Sequence, residues 1–389
     1  MNRWKSWVWI VLSVVCLAES VAARESRTLD AFESGWRPVG NAALQKGLVG
    51  KVAFTCMMSR GEDRYSWDKT VQMDLSRETS IELKVACADP AAIRLVALYV
   101  ESGNGWYLLN APITHPGKST LLFNKASASP EGSPAGWDKV KRIRISAWKG
   151  EGRDTVLHPI SIKGYRDRVF VIKPTSSTPK SDQRWLGKSA FERVSNWLND
   201  AGVSHGILTD DEVKKGKLGT SGVAILPYNP VLDWAQHKYL SSFVKGGGRL
   251  IVCRGESHEL AELMGVKVGR FQSSGDYGKF NAIRFNAPGY PETVYDHNWE
   301  IVTAYPNASN ARVIASWIDA RGRDLKLPAV IESPAGFWFT EVLRSGDQSA
   351  KQRMLLRMIA QSQPSVWHQA LTQLLEHPLD VPTSARRCK

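Results

Sequence analysis

Residues 133–150 read SPAGWDKVKRIRISAWKG, and the alternation in this stretch decides the fold of the first half of the chain. Successive side chains of a β-strand point to opposite sides of the sheet. The apolar members share one parity: Ile143, Ile145 and Ala147. The opposite parity holds Arg142, Arg144, Ser146 and Trp148. We predict a strand with one side in a core, whose other side is either a binding surface or an ordinary solvated sheet face.

The same alternation of apolar and polar residues recurs over residues 24–166. Short alternating runs are separated by turn clusters such as ESGNG and SASPEGSPAG. The runs are 51–58, 70–75, 80–87, 93–100, 106–109, 119–123, 140–148 and 156–163. Strands at this spacing predict an all-β jelly-roll sandwich. Within the run 93–100, Tyr99 has the parity of Leu95 and Ala97 and is expected in the core.

From about residue 168 the chain alternates strands with helices. VFVIKP, GVAILPYNP and RLIVCRG are apolar strands, whereas KSAFERVSNWLNDAG, DWAQHKYLSSFVKGGG and ESHELAELMG are helices. The runs 279–285, 311–318, 328–332 and 336–343 are strand-like, and DQSAKQRMLLRMIAQ is an amphipathic helix. We predict an α/β flavodoxin-like three-layer domain over 167–362 with a parallel sheet, followed by a C-terminal helix and basic tail over 363–389.

The N-terminus has the features of an export signal. Arg3 and Lys5 precede an apolar run, and Val21-Ala22-Ala23 forms a small-residue cleavage site. We therefore expect residues 1–23 to be a signal peptide and the mature protein to be secreted or periplasmic, with no membrane span. At 389 residues, with 43% hydrophobic and 23% charged, the chain is long enough for two domains and its composition excludes bulk disorder.

The chain is basic, with a formal net charge of +13. Such a surplus on an exported protein favours acidic partners such as an acidic polysaccharide, the cell envelope or nucleic acid, or it is simply a solvated basic surface. Nucleic acid is the least favoured partner, because no nucleic-acid-binding motif is present. The strand patterns place Cys56 and Cys87 inward, where they either form a disulfide or remain two buried thiols.

The first half resembles the galactose-binding-like jelly rolls that serve as carbohydrate-binding modules. The resemblance is carried by LDAFESGW, SWDKTVQMDLS, RLVALYVESGNGWYLL and AGWDKVKRIRISAWKGEGRDT. It implies a sugar site on an exposed sheet face or in the loops at one end. Side chains suited to stacking on sugars or hydrogen-bonding them are Trp67, Trp106, Tyr107, Arg142, Arg144 and Trp148. Trp137 is expected to plug the core.

Such modules often hold a structural calcium between the first and last strands. The resemblance implies Asp30 and Glu33 as ligands at one end of the site. The closing strand reads TVLHPISI, with His158 where an acidic residue is expected. The sequence therefore departs from the calcium-binding pattern at the other end.

The second half resembles the class I glutamine amidotransferase-like fold, especially its non-catalytic version in β-galactosidase trimerisation domains and secreted proteins related to glycoside hydrolases. The carriers are VFVIKP, FERVSNWLNDAGVSHGILTDDEV, GVAILPYNPVLDWAQHKYLSSFVKGGGRLIVCRGES and LPAVIESPAGFWFTEVLRSGDQSAKQRMLLRMIA. Working amidotransferases carry a cysteine in a G-x-C-x-G turn, activated by a His and a Glu two residues apart. Cys253 and Gly255 match half of this turn, whereas Ile251 replaces the first glycine and no H-x-E follows.

Other chemistry-bearing residues are scattered. The remaining conceivable bases for Cys253 are His258, His297, His368 and His377. The loop carboxylates are Asp210, Asp211, Glu256, Asp276 and Asp296, and a glycosidase would need two of them at a defined separation. KGGGRL lacks the spacing of a phosphate-binding loop.

The sequence as a whole predicts a non-catalytic glycan-binding or accessory protein. The alternatives are a hydrolase or amidotransferase using Cys253, or an oligomerisation module without glycan affinity that works as a homo-oligomer. We expect no cofactor.

Overall fold

A computed structural model of the chain describes residues 25–47, 50–166, 168–178, 180–275 and 278–376. The signal peptide expected over residues 1–23 lies outside the described residues, as do Asp276, His377 and Cys388. Within the described ranges, no helix combines the length and apolarity needed to cross a membrane.

Residues 25–166 form twelve strands in two sheets. In chain order they are β1 (Glu25–Asp30), β2 (Trp36–Val39), β3 (Ala43–Lys46), β4 (Val52–Cys56), β5 (Arg64–Met73), β6 (Ser80–Cys87), β7 (Ile93–Ser102), β8 (Asn104–Ala111), β9 (Gly117–Asn124), β10 (Ser129–Ser133), β11 (Val140–Lys149) and β12 (Thr155–Arg166). One sheet has the order β3-β4-β12-β6-β9, with β1 also paired to β12. The other has the order β10-β8-β7-β11-β5-β2. All of these pairings are antiparallel.

The two sheets face each other across one apolar core. Ile143, Ile145 and Ala147 of β11 are buried there with Leu83 of β6 and Leu121 of β9. The structure therefore confirms the predicted all-β sandwich and the inward parity of the opening stretch. The prediction missed β1, β2, β3 and β10, and it began β5 six residues too late, at 70 instead of 64.

Residues 169–376 contain eleven strands and six helices. The strands are β13 (Val169–Lys173), β14 (Gly206–Thr209), β15 (Val223–Leu226), β16 (Arg249–Cys253), β17 (Val266–Ser273), β18 (Phe280–Phe285), β19 (Thr293–Asn298), β20 (Glu300–Pro306), β21 (Arg312–Ile318), β22 (Asp324–Ser333) and β23 (Gly336–Phe339). The helices are α1 (Ser181–Asp200), α2 (Asp210–Val213), α3 (Trp234–Lys245), α4 (His258–Leu263), α5 (Gln348–Ala360) and α6 (Ser365–Glu376).

Nine of these strands form one mixed sheet of order β14-β13-β15-β16-β23-β22-β21-β18-β19, while β17 and β20 pair separately. The strands from β14 to β23 run parallel, and those from β23 to β19 are antiparallel. The expected parallel sheet is therefore formed by the strands that alternate with helices together with β23, and β22, β21, β18 and β19 extend it by antiparallel pairing. Its strands β21, β22 and β23 are joined by turns too short for the crossover that parallel strands require.

Helices cover both faces of the parallel strands. On one face, α1 and α5 pack through side chains such as Val194 and Met354 against Val171 and Ile225. On the other face, α3 packs through Phe243 against strand residues of the opposite parity. Because parallel strands start and end at the same edges, the residues that follow β13, β15, β16 and β23 gather at one edge of the sheet.

Candidate functional site

The outward side of the second sheet carries a set of paired polar and aromatic side chains, which we call the arginine face. Its members are Arg64, Asp68, Arg94, Tyr99, Glu101, Trp106, Arg142, Arg144 and Trp148. Cross-strand pairing arranges them in rows. Arg144 of β11 lies opposite Asp68 of β5 and Tyr99 of β7, and Trp148 lies opposite Arg64. Directly paired residues project from the same side of a sheet, so these rows form one continuous surface.

Asp68 holds the two arginines of the opening stretch. Its carboxylate accepts from Arg144 Nε at 2.6 Å and Arg144 Nη2 at 2.9 Å, a two-pronged pair, and from Arg142 Nη1 at 3.3 Å. Arg142 also reaches Glu101, at 2.9 Å from Nε to Oε2. Hydrogen bonding to Asp68 raises the pKa of Arg144 above its usual value. These guanidiniums are therefore held in fixed positions instead of moving freely in solvent.

Aromatic rings border the ion pairs. The guanidinium carbon of Arg144 lies 4.8 Å from the centre of the Trp106 ring, and that of Arg142 lies 5.8 Å away. Tyr99 meets Trp106 edge to face, with ring centres 6.2 Å apart. Tyr99 is buried as expected, but it lies on the side of β7 opposite to the core between the sheets. The core parity of β7 is that of Val96, Leu98 and Val100, and Tyr99 is buried under the outer face beside Trp106.

Two of the predicted ligand contacts lie elsewhere. Trp67 is fully buried, stacks on Phe54 at 4.4 Å and donates its indole N–H to the Ala43 carbonyl at 2.8 Å. It therefore belongs to the core, and its assignment to a ligand site is wrong. Tyr107 stacks on Trp137 at 4.2 Å, and both pack against the core cluster. Burial raises the pKa of Tyr107. This geometry agrees with the structural role expected for Trp137.

The remaining predicted residues do meet on the arginine face. Trp106, Arg142, Arg144 and Trp148 are all partly exposed there. The other members of the face were not predicted as site residues from the sequence: Arg64, Asp68, Arg94, Tyr99 and Glu101. Asp68 could have been found from the SWDK segment, because it shares the parity of Thr70 in a strand that begins earlier than predicted.

The expected calcium ligands are committed to protein contacts. Asp30 Oδ1 accepts from the Phe32 amide at 2.7 Å and the Trp36 indole at 3.1 Å, while Oδ2 pairs with the ammonium of Lys69. Glu33 is exposed. Because the Lys69 ammonium already neutralises Asp30, these residues do not fit a calcium site. The described residues hold no cluster of acidic, histidine or cysteine side chains suited to a metal ion.

Cys56 and Cys87 are free, buried thiols in the structure, so the disulfide alternative is not realised. The Cys87 sulfur donates to the Asp89 carbonyl at 3.3 Å, and the Cys56 sulfur lies 3.7 Å from the Phe54 carbonyl. Burial raises the pKa of Cys56 to about 12. Each sulfur therefore acts as a small apolar group with its own hydrogen-bond acceptor.

Cys253 ends β16 and is 1% exposed, packed in the core between the sheet and helices α1 and α5. Burial raises its pKa above that of an ordinary thiol, and the nearby Asp296 and Glu341 act in the same direction. A reactive cysteine needs the opposite setting, accessible and electropositive. No histidine ring or carboxylate of the described chain is hydrogen-bonded to this sulfur. Cys253 therefore lacks the geometry of an activated nucleophile.

The sharp turn at this edge of the sheet is centred on the next residue. Arg254 has a φ of 48°, an uncommon left-handed conformation for a bulky residue. Its guanidinium Nη1 donates to Glu300 at 2.6 Å and to Glu341 at 3.0 Å. A Cβ at Gly255 would lie 2.4 Å from the Trp338 ring, so the turn depends on this glycine. The turn thus presents a buried arginine, not a thiol.

Glu341 makes stability depend on pH. Burial raises its pKa to about 7 from 4.5, although Arg254 and Arg344 act in the opposite direction. Between these pH values the folded chain holds a proton that the unfolded chain has released, so the stability present below pH 4.5 is lost as the pH rises through 7. We expect the free energy of unfolding of the wild type to fall by on the order of 1–3 kcal/mol between pH 5 and pH 8 because of Glu341. In Glu341→Gln this contribution to the fall should be absent.

Urea unfolding of the wild type and Glu341→Gln at pH 5 and pH 8 measures this difference. Glu256→Gln is the matched control, because Glu256 also lies near Arg254 but its side chain is 39% exposed. Parallel pH dependence in the wild type and Glu341→Gln would contradict the assignment.

The loop carboxylates do not form a catalytic pair. Asp210 is buried and accepts from the Thr175 and Ser177 amides and from Asn229, so it fixes loops at the sheet edge. Asp211 accepts a hydrogen bond from Thr175 and forms a salt bridge with Lys214. Asp296 forms a salt bridge with Lys351. His258 and His368 are exposed on helices α4 and α6. These residues serve separate structural contacts in the described part of the chain.

Solved structures similar to parts of the chain include carbohydrate-binding modules. A family 11 module from Clostridium thermocellum, solved with a β-1,3-1,4-mixed-linked tetrasaccharide, is 13% identical. The match covers 37% of this chain and 98% of that module, with a TM-score of 0.30. A family 29 module solved with cellulohexaose is 10% identical over 37% of this chain and 92% of that module, with a TM-score of 0.25.

A ThuA-like protein from Bacteroides uniformis is also similar to part of the chain. It is 12% identical over 49% of this chain and 90% of its own length, with a TM-score of 0.38. No protein-family model matches the chain, and no curated protein matches it. The functional proposal therefore rests on the geometry of the arginine face.

Proposed function

We propose that the protein is an exported carbohydrate-binding accessory protein, secreted or periplasmic, which holds a glycan on the arginine face. The observation that carries the proposal is the fixed cluster of Trp106, Arg144 and Asp68 on β8, β11 and β5, in which Arg144 contacts both the Trp106 ring and the Asp68 carboxylate. Sugar hydroxyls pair with guanidinium donors and carboxylate acceptors, while the apolar C–H side of a sugar packs against an indole ring. This cluster supplies all three groups next to one another.

These side chains are held in fixed positions, which favours a binding surface over an ordinary solvated sheet face. The Arg144 side chain is 20% exposed and that of Asp68 is 14% exposed, which is low for charged groups on the outside of a sheet. Their positions are set by the ladder partners and by the two-pronged ion pair. A site that is ordered before its ligand arrives loses less conformational entropy on binding.

The second half of the chain is proposed to be an amidotransferase-like three-layer domain that performs no chemistry through Cys253. Support comes from its parallel strands with helices on both faces and from the arginine at the turn after β16. The burial of the Cys253 thiol and its raised pKa favour an accessory role over the hydrolase alternative.

The proposal is tested by removing the Trp106 ring. In affinity electrophoresis of the full chain against a panel of neutral and acidic soluble polysaccharides, we expect at least one glycan to retard the wild type. Trp106→Ala should then weaken that binding at least tenfold, equivalent to about 1.4 kcal/mol.

Trp234→Ala is the matched control, since Trp234 is 75% exposed on α3, outside the arginine face. Thermal unfolding of both variants shows that each is folded. Equal binding by Trp106→Ala and the wild type, or retardation by no glycan in the panel, would contradict the proposal.

A further inference from the structure

The Trp148 end of the arginine face differs in charge from the Trp106 end. Arg64 lies opposite Trp148 in the strand ladder, with its guanidinium carbon 5.0 Å from the centre of the Trp148 ring. Arg94 lies over the same ring at 5.8 Å. Arg64 Nη1 also donates to the Tyr99 hydroxyl at 3.1 Å. The Trp148 indole therefore contacts two guanidiniums, those of Arg64 and Arg94.

Neither arginine has an acidic partner among the described residues, although Arg142, Arg144 and Lys141 at the other end are all paired with Asp68 or Glu101. A cation over an aromatic face is held in place without being neutralised. The tyrosine hydroxyl likewise orients Arg64 without cancelling its charge. This end of the face thus keeps two uncompensated positive charges on ordered side chains.

The chemistry that fits this arrangement is an oxyanion. A guanidinium presents its N–H donors in a planar fork that matches two oxygens of a carboxylate or sulfate group. Each of the two guanidiniums carries a charge without an acidic partner and so attracts an anion. The net charge of +13 would also draw a polyanion toward the protein.

We propose that Arg64 and Arg94, supported by Trp148, form a subsite for an anionic substituent of a sugar, either sulfate or carboxylate. The inference rests on the proposed glycan-binding function. It adds that the ligand is anionic and that the Trp148 end of the face binds the charged group. Trp148 acts here as a positioning residue for the two guanidiniums, because its ring lies against both of them.

The experiment uses three polymers with one backbone: dextran, dextran sulfate and carboxymethyl-dextran. We expect the full chain to bind at least one of the two charged polymers and to bind uncharged dextran at least tenfold more weakly. Arg64→Ala combined with Arg94→Ala should lower affinity for the charged polymer at least tenfold. Comparison of the two charged polymers decides between sulfate and carboxylate.

The matched control is Arg270→Ala combined with Arg353→Ala. This variant removes the same charge from two exposed arginines outside the arginine face. An equal loss in the control variant would mean that binding follows net charge alone and would overturn the subsite. Binding of neither charged polymer, or equal binding of dextran, would overturn it as well.

The same titration separates this inference from the function on which it rests. If Trp106→Ala weakens glycan binding but the Arg64 and Arg94 variant does not, the anionic subsite is wrong and the glycan-binding face stands. If neither variant changes binding, both are wrong. Unchanged unfolding midpoints for the arginine variants exclude misfolding as the cause of a loss.

Discussion

Replacing Lys351 by methionine is expected to destabilise the protein by about 3–5 kcal/mol. The Lys351 side chain is fully buried on α5, and its ammonium lies 2.7 Å from Asp296 Oδ1 on β19. It also donates to the carbonyls of Arg344 at 2.9 Å and Gly346 at 2.8 Å. All three donors are thus used, and without them the buried Asp296 carboxylate loses its counterion.

The double variant Lys351→Met with Asp296→Asn distinguishes a lost ion pair from lost packing. Because it removes both charges, we expect it to recover most of the stability that Lys351→Met loses. Urea unfolding of the full chain measures each variant, with Lys188→Met as a control on an exposed lysine of α1. A double variant no more stable than Lys351→Met would contradict the pairing.

This buried pair also illustrates what a sequence pattern cannot predict. The segment QSAKQRMLLRMIA predicts an amphipathic helix, and α5 is one. A lysine in such a helix is normally assigned to the solvent side. Lys351 is buried because the loop before α5 and the distant strand β19 bring three acceptors to its ammonium, and that meeting depends on tertiary structure alone.

The strand patterns of the first half were predictable where only one side of a strand is apolar. In β11, arginines alternate with isoleucines, so the pattern gave both the strand and its outer face. In β7, the run LVALYV is apolar at both parities, so alternation could not assign Tyr99 to either side. Once β11 was paired, the position opposite Arg144 placed Tyr99 on the arginine face.

In the second half, apolar runs predicted the parallel strands β13, β15, β16 and β23, whereas strands with mixed composition were missed. VKVGRFQS, TVYDHN and EIVTAYP form β17, β19 and β20, and none contains a continuous apolar run. The conformation of the turn after β16 also could not be predicted from the sequence. The pattern placed Cys253 at the turn, but the left-handed conformation is at Arg254, and the Gly255 that follows has no room for a Cβ beside Trp338.

Replacing Trp67 by alanine is expected to destabilise the protein by about 3–5 kcal/mol, because it empties a large site in the sandwich core. The ring stacks on Phe54 with an angle of 4° between the planes, and no part of it is exposed. Trp106→Ala, on the other side of the same sheet, should cost much less stability but lose glycan binding. Urea unfolding and affinity electrophoresis on both variants measure the contrast. A stable Trp67→Ala protein that had lost glycan affinity would return Trp67 to the ligand site and remove the arginine face from consideration.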